Sequence, residues 1–396
     1  MSDAARASPS ALELACAVAR ARLDERAAAR RDAAVAGVAD WREMPPLLAR
    51  HGLLALAAGH LAPARADIPE SVWLAIEAEA RAARARALAG AAELCRLARA
   101  CEEAGIPMLA IKGPVLAQRA YGDIGARAFT DLDLLVAPGA VPGALALLGE
   151  LGYAPEYRFT PRRDAWFRHV DGDYPLIHGQ TGQLVELHAR PLSRRFVGMA
   201  PFEALWERRM PVTLGDRPIA ALGDDDAFLL QALHGGKHRW ERLEWVAATG
   251  QLLRRRGGDA RAVLEAAPAA RRAVLVACHV AAQWVEAPLS VPMRDACRRD
   301  PAVARLADRA WRRIASGARD EGSGETAGKL RFNYRLQGGV AARLRFAYRW
   351  AFWPSPEDWG ALSLPDWLFV AYRVVRPVRL LARYLRPARP RETPDG

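Results

Sequence analysis

Residues 130–136 place two acids, Asp131 and Asp133, one residue apart at the head of the apolar run Leu134-Leu135-Val136. Such a run predicts a buried strand, in which residues i and i+2 point to one face. The two carboxylates then project together, roughly 7 Å apart at their Cα atoms. Two acids on so apolar a strand are costly unless a cation or hydrogen bonds compensate them. A second apolar stretch, Met108-Leu109-Ala110-Ile111-Lys112-Gly113, precedes them and also predicts a strand ending in a Lys-Gly turn. A Lys-Gly turn followed by an Asp-x-Asp strand is a layout for holding a nucleoside triphosphate and its magnesium.

The chain has 396 residues, enough for two or three domains. Its formal charge of +12 fits an anionic partner: a nucleotide, a nucleic acid or a membrane surface. The bland reading stands beside it, because arginine and alanine are abundant throughout. Only three of the 57 basic residues are lysine: Lys112, Lys237 and Lys329. A lysine kept in so arginine-rich a chain is a candidate for a site needing a compact ammonium. The five cysteines are scattered, with no zinc-type pair spacing and no disulfide framework. No run of 18 apolar residues and no apolar signal core occur, so a reduced, cytoplasmic protein is expected.

Four regions are expected. Residues 1–100 read as helical, with Ala, Leu, Arg and Glu at 3–4 spacing. Residues 101–221 hold the strands, including a hairpin over 174–188 turning at Gln180-Thr181-Gly182. In its second strand Leu184, Glu186 and His188 share one face. Residues 222–386 read as helical again, with Asp224-Asp225-Asp226 as an N-cap cluster and helices over 224–256, 259–286 and 301–316. Residues 317–328, rich in Gly, Ser and Glu, read as a loop or linker. Residues 387–396 read as a disordered tail.

Asp131, Asp133 and Glu186 are the candidate catalytic and metal-binding acids. Hard oxygen ligands of this kind suit Mg2+ or Mn2+. Lys112 and Gly113 are candidates for gripping phosphate, since glycine admits close backbone approach and a helix N-terminus favours anions. Arg127 pairs with phosphate, braces an aspartate, or is one more surface arginine. Thr130 and Lys237 complete the candidate nucleotide-binding set. His188 reads as a partner of the acids, a base or a satisfied core histidine. His234 and His238 stand at i, i+4 and meet on one helical face. Gly235 occupies the place of a zincin's glutamate, which excludes a zinc protease. Residues 366–386 mix aromatic and aliphatic residues with Arg373, Arg376, Arg379, Arg383 and Arg386. A basic amphipathic helix of this kind lies on a membrane, binds RNA, or packs its apolar stripe on its own domain.

Taken together, these segments resemble the uncharacterised bacterial nucleotidyltransferases of the polymerase-β-like superfamily. The matching residues are Lys112-Gly113, Leu116, Tyr121, Arg127, Asp131–Val136, Gly152-Tyr153 and Val185–His188. Further blocks are His234–Trp240 with Leu243 and Trp245, Pro354–Trp359, Leu364-Pro365, Tyr372 and Arg376–Leu380. The resemblance implies an α+β fold: a small mixed sheet flanked by helices, with helical N- and C-terminal regions. It also implies a two-metal mechanism, an NTP donor, and metal binding by Asp131 and Asp133. The acceptor is left open among a small molecule, a peptide, a sugar and RNA. Two alternatives remain: a toxin-like enzyme acting on RNA or protein, and a degenerate nucleotide-binding scaffold. Three departures bear on the choice. Pro114 replaces the common serine, Glu186 stands where Asp is usual, and Ala248 stands where an acid is expected.

Overall fold

The structure is a computed structural model that describes residues 7–196, 198–317 and 323–385. Seven strands form one mixed sheet: β1 (Met108–Ala110), β2 (Asp131–Val136), β3 (Tyr153–Pro155), β4 (Asp173–His178), β5 (Leu184–His188), β6 (Met210–Leu214) and β7 (Arg217–Ala221). Their spatial order is β3-β4-β5-β2-β1-β7-β6. β2 runs parallel to β5 and β1 parallel to β7; the other neighbours are antiparallel. Helices make up most of the remaining chain, so the mixed sheet and the α+β class are as expected.

Period-two alternation divides the sheet into two faces. Leu132, Leu134, Val136, Val185, Leu187, Tyr174 and Leu176 point into one core with Leu94, Leu97 and Leu148 from two covering helices. The opposite face starts apolar, with Leu109, Ile111 and Leu135 packed under Leu230 of the Asp224–Lys237 helix. At its other end the same face carries Asp131, Asp133, Glu186, His188 and Asp173. The register enforces this, pairing Asp133 with Glu186 and His188 with Asp173.

The Glu70–Glu103 helix ties the sheet to the helical regions. Its apolar residues recur every three or four positions, which buries one stripe along its whole length. Val72, Trp73, Ile76 and Ala80 belong to a large helical core, while Leu94, Leu97 and Cys101 belong to the core of the sheet. Gly105 at φ 65° and Pro107 then end the helix and release the chain into β1. The large core mixes early and late residues, joining Leu14, Leu48 and Leu61 to Phe228, Val246, Val274 and Leu306.

Several local expectations change. Asp224-Asp225-Asp226 fill the first turn of their helix, and Gly223 is its N-cap. Placed there, the acids meet the helix dipole and the ion partners Arg119, Arg256 and Arg208. The helix expected over 224–256 breaks after Lys237, because Arg239 and Trp240 adopt left-handed φ values of 59° and 55°. The following helix spans Leu243–Arg255. Trp240 is fully buried against Gly235, where an added Cβ would lie 2.4 Å from its ring. The glycine in the zincin position is therefore a packing requirement of this turn. The Gly/Ser/Glu-rich segment is partly helical, since a helix runs Ser323–Leu336; residues 318–322 and the expected tail 387–396 lie outside the described residues. The five cysteines are free. No described helix is long and apolar enough to cross a membrane.

Asp358 anchors the C-terminal helices. It is fully buried, and its carboxylate accepts from Arg376 Nη1 at 2.7 Å and Arg379 Nε at 2.6 Å. Burial alone would raise this carboxyl, but the hydrogen bond and charge of Arg376 outweigh it and hold it below the usual range. Its stabilisation is therefore complete above the ordinary carboxylate pKa and lost as pH falls through the depressed value. Removing one partner of a buried pair leaves an uncompensated charge. Asp358→Ala is expected to cost about 3–5 kcal/mol in urea unfolding at neutral pH. The gap from wild type should narrow on acidification; a cost below about 1 kcal/mol would contradict the anchor.

Candidate active site

The acidic face opens into a cleft whose far wall comes from the Asp224–Lys237 and Leu243–Arg255 helices. Asp133 lies at its base, 4% exposed. Its Oδ1 accepts from Lys112 Nζ at 2.5 Å and lies 3.0 Å from His188 Nε2. The same His188 nitrogen is 3.4 Å from Glu186 Oε2. Ligating atoms of Asp133, Glu186 and His188 all lie within 4.8 Å of one another. Asp131, two residues before Asp133 on the same face, lines the same cleft.

Local sequence explains how Lys112 reaches this point. Chain leaving β1 turns at Lys112, which caps the Gly113–Tyr121 helix with Pro114 in its first turn. Gly113 has φ 56°, and a Cβ there would stand 3.4 Å from the Asp131 carbonyl. Only a residue without a side chain makes this left-handed step freely so close to β2.

Electrostatics follow from crowding. Burial would raise the Asp133 carboxyl, but the Lys112 ammonium and the His188 hydrogen bond hold it well below the usual range. Asp131 has less compensation: burial, then the Asp133 charge, push it up to about 6. Burial opposes charging of His188, yet hydrogen bonds to Asp133 and Glu186 raise it to about 9. The imidazole is therefore cationic at neutral pH. Glu186 is lowered, first by its His188 hydrogen bond. Two protein cations thus already offset part of the charge of this acidic face.

The residues fit a divalent ion. Asp131, Asp133 and Glu186 supply hard oxygens suited to Mg2+ or Mn2+, and His188 adds a nitrogen donor only once it has lost the proton it carries here. The charge now placed on Lys112 and His188 shows that this face needs positive compensation.

Every candidate site residue of the sequence lines this cleft: Lys112, Gly113, Arg127, Thr130, Asp131, Asp133, Glu186, His188, His234, Lys237 and His238. Arg127 is 7% exposed, and its Nε and Nη1 have no hydrogen-bond partner. His234 and His238 do meet, with ring centroids 4.7 Å apart, and each lies 5.2 Å from the Trp245 ring. Burial holds both imidazoles well below their ordinary pKa, so this wall is neutral and aromatic.

Three acids of this cleft escaped the sequence reading: Asp171, Asp173 and Glu244. Asp173 faces His188 across the β4–β5 ladder, and burial raises its carboxyl. The alternation of β4 held the signal, because Asp173 leads the strand opposite the Glu186/His188 face. Glu244 is 3% exposed, lines the cleft, and leaves Oε2 without a partner. Ala248, at a position where the resemblance leads one to expect an acid, is fully buried one turn further along the same helix.

A model of a family described as uncharacterised nucleotidyltransferase matches residues 37–286, well over half of the chain. No curated protein and no solved structure matches. The match contains the whole cleft. It ends before the blocks at 354–359, 364–365, 372 and 376–380 that the sequence resemblance includes.

Asp133→Asn removes the charge that holds the His188 proton. The His188 pKa, followed by NMR titration, is expected near 9 in the wild type and at least one unit lower in the variant. Because folding raises this pKa, the contribution of His188 to stability is full below the ordinary histidine pKa. It is lost as pH rises through about 9. An unchanged His188 titration in the variant would contradict the assigned pairing.

Proposed function

We propose that this chain, which belongs to that uncharacterised nucleotidyltransferase family, moves a nucleoside monophosphate from an NTP to an acceptor with release of pyrophosphate. The observation that carries this reading is the convergence of Asp131, Asp133 and Glu186 in one cleft beside the Lys112-Gly113 turn.

The phosphates lie on the N-terminal end of the Gly113–Tyr121 helix, where free backbone N–H groups and the left-handed glycine admit them. Lys112 swings from Asp133 to the triphosphate, carrying its positive charge with it. Arg127 offers its two unpaired donors to the same phosphates. Lys237 and Thr130 border the path, and the His234/His238/Trp245 wall gives a base a neutral surface. Asp131, Asp133 and Glu186 would hold the divalent ions, Mg2+ or Mn2+. When bound, these ions activate the acceptor oxygen and stabilise the departing pyrophosphate. The acceptor oxygen forms a bond to the α-phosphorus as the α–β bridging bond breaks. Its proton passes to a carboxylate of this face. Positioning and electrostatic complementarity provide most of the acceleration. The acceptor is a hydroxyl-bearing small molecule, peptide, sugar or RNA.

Labelled NTPs, Mg2+ or Mn2+ and a cell extract test the reading. Wild type should transfer label to an extract component, and Asp131→Asn combined with Asp133→Asn should lower transfer by about a thousandfold. Equal labelling by both proteins removes the proposal. Calorimetry showing no metal-dependent binding of any of the four NTPs would instead favour a non-catalytic scaffold. In the same assay Arg127→Gln is expected to weaken NTP binding about tenfold or more, with the fold intact by circular dichroism. Unchanged affinity would return Arg127 to a purely structural role.

A further inference from the structure

We infer that the C-terminal helices form a docking face for an anionic lipid bilayer surface. The segment Asp366–Ala371 and the Tyr372–Leu385 helix turn Trp367, Val370, Val374, Val378 and Leu381 outward. All five are at least 60% exposed, and their spacing of three or four residues makes a single stripe. The inward side of the same segment is already used. Phe369, Tyr372 and Leu380 are buried in the protein, and Arg376 is bound to Asp358. The fold therefore has no need of the outer stripe. The neighbouring Val340–Phe352 helix repeats the pattern, with Val340, Leu344, Tyr348 and Phe352 each at least 40% exposed. Arg376 joins the two helices by donating to the Trp350 carbonyl at 2.7 Å.

Charge selects the occupant. Residues 330–382 carry eight arginines and three acids. One of those acids, Asp358, is buried under Arg376 and Arg379. Arg162, Arg345 and Arg373 are exposed beside the apolar residues, and Arg162 lies over the Phe369 ring at 5.8 Å. An apolar stripe edged by arginine matches a surface that is anionic outside and hydrocarbon within. RNA would use the arginines but leave five large apolar side chains in water. A second copy of this chain would bring the same positive charge to the contact.

Flotation of the full chain with vesicles tests this. It should rise with vesicles of phosphatidylcholine mixed with phosphatidylglycerol, stay behind with phosphatidylcholine alone, and weaken as salt increases. Val374→Asp combined with Val378→Asp, both at exposed positions, should reduce partition at least about tenfold with an unchanged thermal melt. Arg345→Glu combined with Arg373→Glu should abolish the preference for the anionic lipid. Failure to float, or equal flotation of the Val374/Val378 variant, overturns the proposal. So does a dimer, seen by light scattering, that the Val374/Val378 variant dissolves. RNA binding that this variant loses, without any lipid partition, equally overturns it.

Discussion

One buried carboxylate, Asp133, organises the chemistry of this molecule. At 4% exposure it is charged only because Lys112 and His188 both meet its Oδ1. Without them, burial would cost several kcal/mol or force the group neutral. The arrangement makes local geometry non-negotiable. Lys112 must leave β1 at the right residue, Gly113 must turn left-handed, and β5 must pair with β2 so that Glu186 lies beside Asp133. Each condition is met by a different stretch of chain. A register shift of one residue in β5 would send Glu186 and His188 into the apolar core of the sheet.

The same crowding gives the acids unlike characters. Asp133 takes most of the available positive charge and stays ionised. Asp131, sharing its face with less compensation, is pushed up to about 6, and Asp173 is raised by burial. A face this strained holds more negative charge than two protein cations comfortably neutralise. Its natural complement is further positive charge. That electrostatic demand, rather than any single residue, is what makes the cleft fit for a polyvalent cation.

Period-two alternation makes the site legible in the order of the amino acids. Asp131/Asp133 and Glu186/His188 stand out because acids interrupt otherwise apolar strands, and a strand fixes which face they share. The Lys-Gly turn is legible because lysine is scarce here. What escapes has weaker local marks. β6 and β7 each contain a proline, Pro211 and Pro218, and the sequence reading names no strand over them. Pro218 is tolerated because β1 reaches β7 only at Ala221, leaving no partner to miss its N–H. Glu244 is hidden at the head of its helix just after Arg239, Glu241 and Arg242, where one more charge carries no signal. The Ser323–Leu336 helix is masked by Gly324 and Gly328, which favour a loop, and tertiary packing of Phe332 and Leu336 overrides that preference.

The C-terminal segment is more than an appendage to the cleft. Asp171 and Ser193, both on the cleft wall, contact each other, and Asp171 pairs with the buried Arg195. Arg195 in turn donates to the carbonyls of Arg349, Trp353 and Pro354. Trp166 donates to Pro354 as well, and Arg163 to Leu364. Several charge-assisted donors converge on backbone carbonyls here, and a carbonyl has no rotamer in which to evade them. The helices bearing the outward apolar stripes are thereby held in fixed register with the wall of the cleft. A surface that captured those stripes would also orient the cleft. An acceptor confined to such a surface would meet the acids from a restricted set of directions, which is the entropic part of catalysis obtained before binding.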